Sequence, residues 1–277
     1  MVVVQLTNGF GNNLFQYIAA KQLADFHQQP LYVLPPSSDY YALSDLASLG
    51  IDFTPPPQSD DHFVSVTDAN YKICFSKVLT GRSFYVMGYF ENYTLFEDNL
   101  QEIKEWFPKV KTREDNDLVI HFRAGDRLFY KNEFGSKPSA ESYLTAISQF
   151  DFDKLHIVTD MPDWEKISPA RLESMKFHYN VPQEQRVAPE RSVEYFNSFI
   201  EAFSQFNPIV QKRSVSEDFN HIRSFRNILF QHGTLGWWAA ILSDASKIGV
   251  YGPWRPWKGK SNKNLSKVKK EGWFQWS

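Results

Sequence analysis

The sequence predicts an α/β protein made of two units with a cleft between them. Residues 2–6 and 31–34 are short apolar runs of strand length, and apolar residues at helical spacing separate them. A second series of apolar strands and amphipathic helices begins near residue 117. Strands that alternate with helices form parallel sheets. Ligands of such sheets bind at the carboxyl ends of the strands.

The first unit opens as strand, loop, helix and strand. The loop spans residues 7–13, and apolar residues from Leu14 onward follow the helical period, so Asn12 or Asn13 is expected to cap the helix. A further helix is predicted over residues 94–107, because a proline follows it and cannot continue it.

The second unit alternates strands and helices as far as residue 251. We expect strands at residues 117–122, 155–159, 227–230 and 247–251, and helices at 139–150, 162–167, 192–206, 216–225 and 235–242. The charged stretch 109–117 is the predicted linker. The predicted domains are therefore residues 1–115 and 116–260, followed by a basic C-terminal tail at 261–277.

Composition favours a folded protein without a membrane segment. Of the 277 residues, 42% are apolar, which is enough for packed cores, and no apolar run has the length of a membrane helix. The start of the chain lacks the pattern of a signal peptide, and the one cysteine, Cys74, fits a reducing compartment. We therefore expect a cytoplasmic protein. The basic tail is interpreted as solvated, with an anionic ligand or membrane surface as the alternative.

The loop after the first strand contains Gly9-Phe10-Gly11-Asn12-Asn13. Glycines at this place let the backbone approach a ligand closely, and the next helix offers free N–H groups. The segment lacks the third glycine of the dinucleotide-binding fingerprint. A purely structural turn explains the pattern equally well.

The segment His121-Phe122-Arg123-Ala124-Gly125-Asp126 ends an apolar strand. Side-chain alternation puts His121 and Arg123 on the same side of that strand, and the turn at Gly125 brings Asp126 into the same space. An arginine fork gives a diphosphate two parallel charge-assisted hydrogen bonds. An ion pair between Arg123 and Asp126 is the structural alternative.

Residues 231–238 join a strand to a helix. Thr234 is expected to be the helix N-cap, where its hydroxyl and the free N–H groups can hold phosphate oxygens. Trp237 and Trp238 are expected in the core. Asp218, in the preceding helix, offers a carboxylate that matches the N–H edge of guanine. A favourable charge at a helix N-terminus is its structural alternative.

The sequence gives little support for a metal site. It contains no His-x-x-x-His pattern and no cysteine pair. It also lacks a P-loop and the Gly-x-Ser-x-Gly elbow of hydrolases. We therefore expect no metal and no cofactor, and neither kinase nor hydrolase activity.

Five segments, in this order, resemble the α-1,2-fucosyltransferase family, whose donor motifs are similar to those of α-1,6- and protein O-fucosyltransferases. They are Gly-Phe-Gly-Asn-Asn-Leu-Phe-Gln-Tyr at 9–17, Gly-Tyr-Phe-Glu-Asn-Tyr at 88–93, His-Phe-Arg-Ala-Gly-Asp at 121–126, Thr-Asp-Met-Pro-Asp-Trp at 159–164 and His-Gly-Thr-Leu-Gly-Trp-Trp-Ala-Ala at 232–240. Together they span nearly the whole chain.

The resemblance implies two Rossmann-like domains facing a cleft, of the GT-B kind or a variant of it. It implies an enzyme that transfers L-fucose from GDP-fucose, with inversion and without a metal, to the 2-OH of a β-galactoside. The implied partners are GDP-fucose and a galactoside or oligosaccharide acceptor, with no nucleic acid. The start of the chain lacks the anchor of the animal Golgi members, so we expect a bacterial cytoplasmic enzyme.

The residues assigned to GDP-fucose by the resemblance lie in 116–260, the implied GDP-fucose-binding domain, with the exception of Asn12, which lies in 1–115. Arg123 would hold the β-phosphate, and His121 and Asp218 would meet the guanosine. The diphosphate would also be held by the turn made of Gly233, Thr234 and Leu235.

Acceptor residues carried over lie in 1–115, the implied acceptor-side domain. Asn12 would line the site near the fucose or the acceptor, and Asn13 and Glu91 would face the acceptor. The general base is expected to be Asp126, with Glu91 as the second candidate. Asp126 has the alternative role of orienting Arg123.

The chain departs from the family pattern at three positions. Ala124 stands where the family has a second arginine, so Arg123, helped by Arg127, would hold the diphosphate. Asn13 and Glu91 replace glutamines, which leaves the acceptor open. A fucosyltransferase of another regiochemistry, such as α-1,6, and a non-catalytic GDP- or sugar-binding relative are therefore alternatives.

Overall fold

The chain forms two compact units in this computed structural model. Unit 1 comprises Met1–Lys109 and Pro256–Val268, and unit 2 comprises Val110–Arg255 and Lys269–Ser277. The division falls at the start of the predicted linker. The residues that the structure describes are 1–36, 43–58, 62–125, 128–129, 137–161, 164, 167–170, 184, 186–211, 213–252, 265–268 and 270–277.

Unit 1 is built on a parallel four-stranded sheet, sheet 1. Its elements are β1 (Val2–Gln5), α1 (Phe10–His27), β2 (Leu31–Leu34), α2 (Leu43–Ala47), β3 (Phe63–Val66), β4 (Ser83–Val86) and α3 (Leu100–Glu105). Short 3-10 helices lie at Tyr71–Cys74, Lys77–Leu79, Tyr93–Leu95, Glu97–Asn99 and Leu265–Lys267. The strand order is β2-β1-β4-β3, so β1 and β4 are the central strands.

Helix α1 begins earlier than the sequence predicts. Gly9 is its N-cap, so Asn12 and Asn13 lie inside the helix and do not cap it. Phe10 is as buried as the later apolar positions, and α1 packs on β1 through this apolar side. The helix ends where Gln28 turns left-handed, with φ of 53°.

Unit 2 is built on a parallel six-stranded sheet, sheet 2. Its elements are β5 (Leu118–Phe122), α4 (Ala140–Ile147), β6 (Leu155–Thr159), α5 (Pro189–Ser204), β7 (Ile209–Gln211), α6 (Val215–Arg223), β8 (Asn227–Phe230), α7 (Thr234–Ile241), β9 (Lys247–Tyr251) and β10 (Trp273–Trp276). The strand order is β10-β9-β8-β5-β6-β7. This is the order of the doubly wound nucleotide-binding fold, with β5 as the first strand.

The helices of unit 2 pack in two pairs, α4 with α5 and α6 with α7. The chain moves from β5 towards β7 and then back to β8, β9 and β10. Right-handed crossovers therefore put the two helix pairs on opposite faces of sheet 2. The core between the sheet and the first pair is rich in aromatic side chains, and Phe122 contacts the rings of Tyr143, Phe196 and Phe199.

Several predicted elements differ from the observed ones. The helix predicted over residues 94–107 is divided into two 3-10 turns and the short helix α3. Strands β3, β4, β7 and β10 were not predicted. The helix predicted at 162–167 lies largely outside the described residues.

The predicted C-terminal tail does not form one separate segment. Its residues 265–268 belong to unit 1, and β10 pairs in parallel with β9 of sheet 2. Trp276 is buried and its ring centroid lies 4.6 Å from that of Tyr143 and 4.8 Å from that of Tyr251. The aromatic side chains of β10 are thus part of the unit 2 core.

We expect Trp276→Ala to lower the free energy of unfolding by about 3–5 kcal/mol, because it leaves a cavity between two packed tyrosine rings. The matched control is Gln275→Ala, an exposed position on the same strand, which should change stability by less than about 0.5 kcal/mol. Urea denaturation measures both. An equally small decrease in the free energy of unfolding in both variants would contradict the packing of β10 in the core.

Candidate functional site

The carboxyl ends of β5 and β8 lie side by side at the centre of sheet 2. The chain leaves β5 in one direction across the sheet and leaves β8 in the other. At such a switch point the connections diverge and leave a crevice, where doubly wound sheets bind ligands. His121 lies near the end of β5 and Arg123 follows it, while Gly233 and Thr234 follow β8. The structure therefore brings these four predicted donor residues to one edge of unit 2.

The Arg123 guanidinium pairs with the carboxylate of Asp160, which follows β6. Their Nη1 and Oδ2 atoms are 3.0 Å apart. The Arg123 side chain is 36% exposed, so part of it reaches solvent at this edge. The sequence offered Asp126 as an ion-pair partner of Arg123, but Asp126 lies outside the described residues.

The same aspartate also holds the backbone after β5. Its Oδ1 accepts hydrogen bonds of 2.9 Å from the N–H groups of Ala124 and Gly125. Ala124 is buried, so the position of the family's second arginine lies in a packed turn here. Asp160 therefore fixes both the turn and the side chain of Arg123.

Gln231 holds Arg123 from the other neighbouring strand. It follows β8 and its Nε2 donates to the carbonyl oxygen of Arg123. Gln231 is itself buried. The backbone at Arg123 is thus fixed from both sides at the carboxyl edge of sheet 2.

His121 packs against the start of α7. A methyl group placed on Gly236 would lie 2.5 Å from its Nδ1, so only glycine allows this approach. The imidazole is buried, and among the described residues its Nδ1 has no hydrogen-bond partner. A buried nitrogen without a partner is costly, and a ligand at this edge can supply one.

Burial lowers the pKa of His121 to about 4. The nearby positive charge of Arg123 lowers it further, and the Asp160 carboxylate partly opposes both effects. The imidazole is therefore neutral at pH 7. A neutral ring can both donate and accept a hydrogen bond.

Helix α7 begins directly after β8. Its N-cap is Gly233, with φ of 148°, and not the predicted Thr234, which is the first helical residue. Thr234 and Leu235 are half-buried, and the first N–H groups of the helix point towards the carboxyl edge. The predicted burial of Trp237 and Trp238 is confirmed, since both are fully buried.

Asp218 lies in the first turn of α6 and is buried. Its Oδ2 accepts a hydrogen bond of 3.2 Å from the backbone N–H of Arg213. Because α6 precedes β8 and runs against it, this turn lies towards the carboxyl edge of sheet 2. The side chain therefore has a local structural role, the alternative that the sequence left open, and its role towards guanine stays a prediction.

The residues predicted near the fucose and the acceptor, Asn12, Asn13 and Glu91, belong to unit 1. Asn12 is half-buried and Asn13 fully buried in α1, and Glu91 is buried in the segment after β4. Within the part of the chain that the structure describes, neither amide atom of Asn13 has a hydrogen-bond partner. All three residues follow the central strands of sheet 1, at its carboxyl edge.

The sequence contains two Asp-x-Asp segments, at residues 115–117 and 151–153, which the expectation of no metal site did not take into account. Both precede strands of sheet 2 and so lie at its amino edge. Asp115 and Asp117 bind the Arg113 guanidinium, and Asp117 also bonds His156 at 2.9 Å. Among the described residues, no group of three or more histidine, cysteine or acidic side chains is arranged to hold a metal ion.

Sequence reasoning did not assign a site role to Asp160 or Gln231. Each directly follows a buried strand. This position is the feature of the sequence that could have identified them as site residues. Their partners become apparent only when the order of strands is known, because β6 and β8 flank β5.

Neither protein-family models nor curated proteins gave a match to this chain. Among the described residues, no helix is long and apolar enough to cross a membrane.

We expect the stability of the protein to fall as the pH is lowered from about 6.5 towards 4. The folded-state pKa of His121 lies below its ordinary value, so the unfolded state binds more protons in this window. His221, whose pKa burial also lowers to about 4, adds to the same loss.

His121→Gln should reduce this pH dependence, and His62→Gln, at an exposed position, is the matched control. Denaturation curves between pH 7 and 4 measure both. An unchanged slope in His121→Gln would contradict a buried neutral imidazole.

Proposed function

We propose that this chain is a galactoside α-1,2-fucosyltransferase, which transfers L-fucose from GDP-fucose to the 2-OH of a β-galactoside with inversion. The observation that carries the proposal is the cluster at the switch point of sheet 2, where Arg123, His121 and the start of α7 meet. An arginine beside a helix N-terminus is suited to a diphosphate. The choice of fucose, acceptor and linkage, and the GT-B class of fold, rest on the resemblance of the five segments.

The donor half of the reaction needs stabilisation of the leaving diphosphate. As the bond between the fucose anomeric carbon and the β-phosphate oxygen breaks, negative charge grows on that oxygen. In this proposal the guanidinium of Arg123 and the first backbone N–H groups of α7, at Gly233, Thr234 and Leu235, receive it. Fixed donors of this kind each contribute roughly 100- to 1000-fold in rate.

The neutral imidazole of His121 is assigned to the guanosine. Its buried Nδ1 gains a partner when a nucleoside reaches the edge, and Asp218 contributes a carboxylate from the neighbouring helix turn. The side chains of His121 and Asp218 are both buried. A base that did not pair with them would leave a buried polar group without a hydrogen bond, which is costly, so these contacts would select for guanine.

The acceptor half needs a hydroxyl directed at the anomeric carbon from the face opposite GDP. Asn13 is assigned to the acceptor, since a sugar hydroxyl can pair its buried amide. The acceptor oxygen forms the new bond to carbon, and its proton passes to a base. Asp126 is the first candidate and Glu91 the second, and such a base contributes about 100-fold or more.

The direct test incubates the purified chain with GDP-fucose and a panel of β-galactosides, with product linkage determined by NMR. The expected product is an α-1,2-linked fucoside, and other sugar nucleotides serve as controls. An α-1,6 product would replace the proposed regiochemistry. GDP binding without transfer to any acceptor would identify a non-catalytic relative, which the absence of a second arginine at Ala124 favours. No GDP binding would refute the proposal.

We expect Arg123→Lys to lower turnover by roughly 100-fold, because a point charge cannot replace the bidentate fork. The matched control is Arg113→Lys, since Arg113 also pairs with a carboxylate but lies at the amino edge of the same unit. Steady-state kinetics with GDP-fucose measures both. Turnover above about half of the wild-type value in Arg123→Lys would remove Arg123 from the phosphate site.

We expect Asp218→Asn to weaken GDP binding by about tenfold or more, because the amide presents a donor where guanine also presents donors. The amide oxygen can still accept from the Arg213 N–H, so the turn is retained. Glu217→Gln, in the same helix turn and part of its capping box, is the matched control and should leave GDP affinity unchanged. Calorimetry that finds equal GDP affinities in all three proteins would exclude Asp218 from the guanine site.

A further inference from the structure

Two loops meet at the carboxyl edge of sheet 1. The β1 loop is residues 6–9 and the β4 loop is residues 87–92. Each contains a non-glycine residue in the left-handed region, Asn8 with φ of 62° and Phe90 with φ of 53°. Such conformations are unfavourable for residues with a Cβ atom and persist only where the surroundings hold them.

Gln16, on α1, joins these two loops. Its Oε1 accepts a 2.8 Å hydrogen bond from the N–H of Thr7, and its Nε2 donates to Thr7 Oγ1 at 2.8 Å and to the carbonyl oxygen of Gly88 at 3.0 Å. The side chain is 3% exposed, so water does not replace these bonds easily. One buried amide thus uses its acceptor and both donor hydrogens to hold the two loops together.

The β4 loop is also held from the β3 side. Asp68, which follows β3, accepts hydrogen bonds from the N–H groups of Tyr89 at 2.9 Å and Phe90 at 2.7 Å. A Cβ atom on Gly88 would lie 2.5 Å from Asp68 Oδ2, so this close approach requires glycine. Asn8 Nδ2 adds a 2.9 Å bond to the Tyr89 hydroxyl.

We propose that Gln16 is a positioning residue for the acceptor. It sets the place of the β4 loop, which carries the buried Glu91, relative to the β1 loop and α1, which carry Asn8 and Asn13. This inference rests on the proposed function, because it takes Asn13 and Glu91 as acceptor residues. The residues assigned to the GDP part of the donor all lie in unit 2, so Gln16 acts on acceptor kinetics and not on GDP binding.

The test compares Gln16→Met with Gln22→Met. Methionine fills a similar volume without hydrogen bonds, and Gln22 is a second buried glutamine of α1, which accepts from the Tyr71 hydroxyl. We expect Gln16→Met to lower kcat/KM for the acceptor by about tenfold or more, as displaced reacting groups do, with GDP affinity within about twofold of wild type. Gln22→Met should change neither. Equal acceptor effects in the two variants, or a loss of GDP affinity in Gln16→Met alone, would overturn the proposal.

Hydrogen exchange separates this inference from the proposed function. Gln16→Met should speed amide exchange in peptides covering residues 87–92, while Gln22→Met should not. If exchange in these peptides of Gln16→Met is as slow as in the wild type, Gln16 does not hold the β4 loop in place. If the wild type transfers no fucose, the proposed function fails. Hydrogen exchange then still shows whether Gln16 holds the β4 loop in place. Gln16→Glu is the second variant if Gln16→Met does not fold. It keeps the acceptor for Thr7 N–H and loses the bond to Gly88, so the same faster exchange is expected.

Discussion

The carboxyl edge of sheet 2 depends on the contacts of one carboxylate, that of Asp160. One oxygen accepts two backbone N–H groups of the turn after β5, and the other pairs with the guanidinium of Arg123. Hydrogen bonds to a charged group contribute about 1.5–3 kcal/mol each. Together with the bond from Gln231 to the Arg123 carbonyl, these contacts fix this arginine, whose side chain is 36% exposed. A group held in place before a ligand arrives loses little freedom on binding, which is the condition for electrostatic stabilisation.

Sheet 1 uses the same kind of construction with different residues. There the side chains of Gln16 and Asp68 bind the backbone of the loops that follow the central strands. In both units a polar side chain from a neighbouring element satisfies the N–H and C=O groups that a strand leaves unpaired where it ends. Buried backbone groups need such partners, so the same bonds that stabilise the edge also determine the shape of its loops.

Strands β1, β2, β5, β6, β8 and β9 could be predicted from the sequence, and strands β3, β4, β7 and β10 could not. Every position of β5, β6 and β8 is buried, so these strands appear in the sequence as largely apolar runs. Strand β3 is mostly exposed and β7 has three residues, so neither gives a clear pattern. The start of α1 was misplaced because a glycine, and not an asparagine, caps it.

The predicted donor residues Arg123, Gly233 and Thr234 follow strands that the apolar pattern reveals. Their contacts were not found, because the partnership of Arg123 with Asp160 requires β6 to lie beside β5. That pairing joins residues far apart in the chain. Periodicity describes only local structure, and tertiary pairing decides which loops meet.

The pairing of β10 with β9 has a consequence for biosynthesis. Unit 2 is discontinuous, and the chain contributes residues to unit 1 before it returns to supply β10. A nascent chain that has reached only residue 251 therefore carries β9 as an uncovered edge strand, with unpaired backbone groups along one side. Such an edge is a template for association with other chains. Strand β9 gains its partner β10 only when translation has passed residue 276.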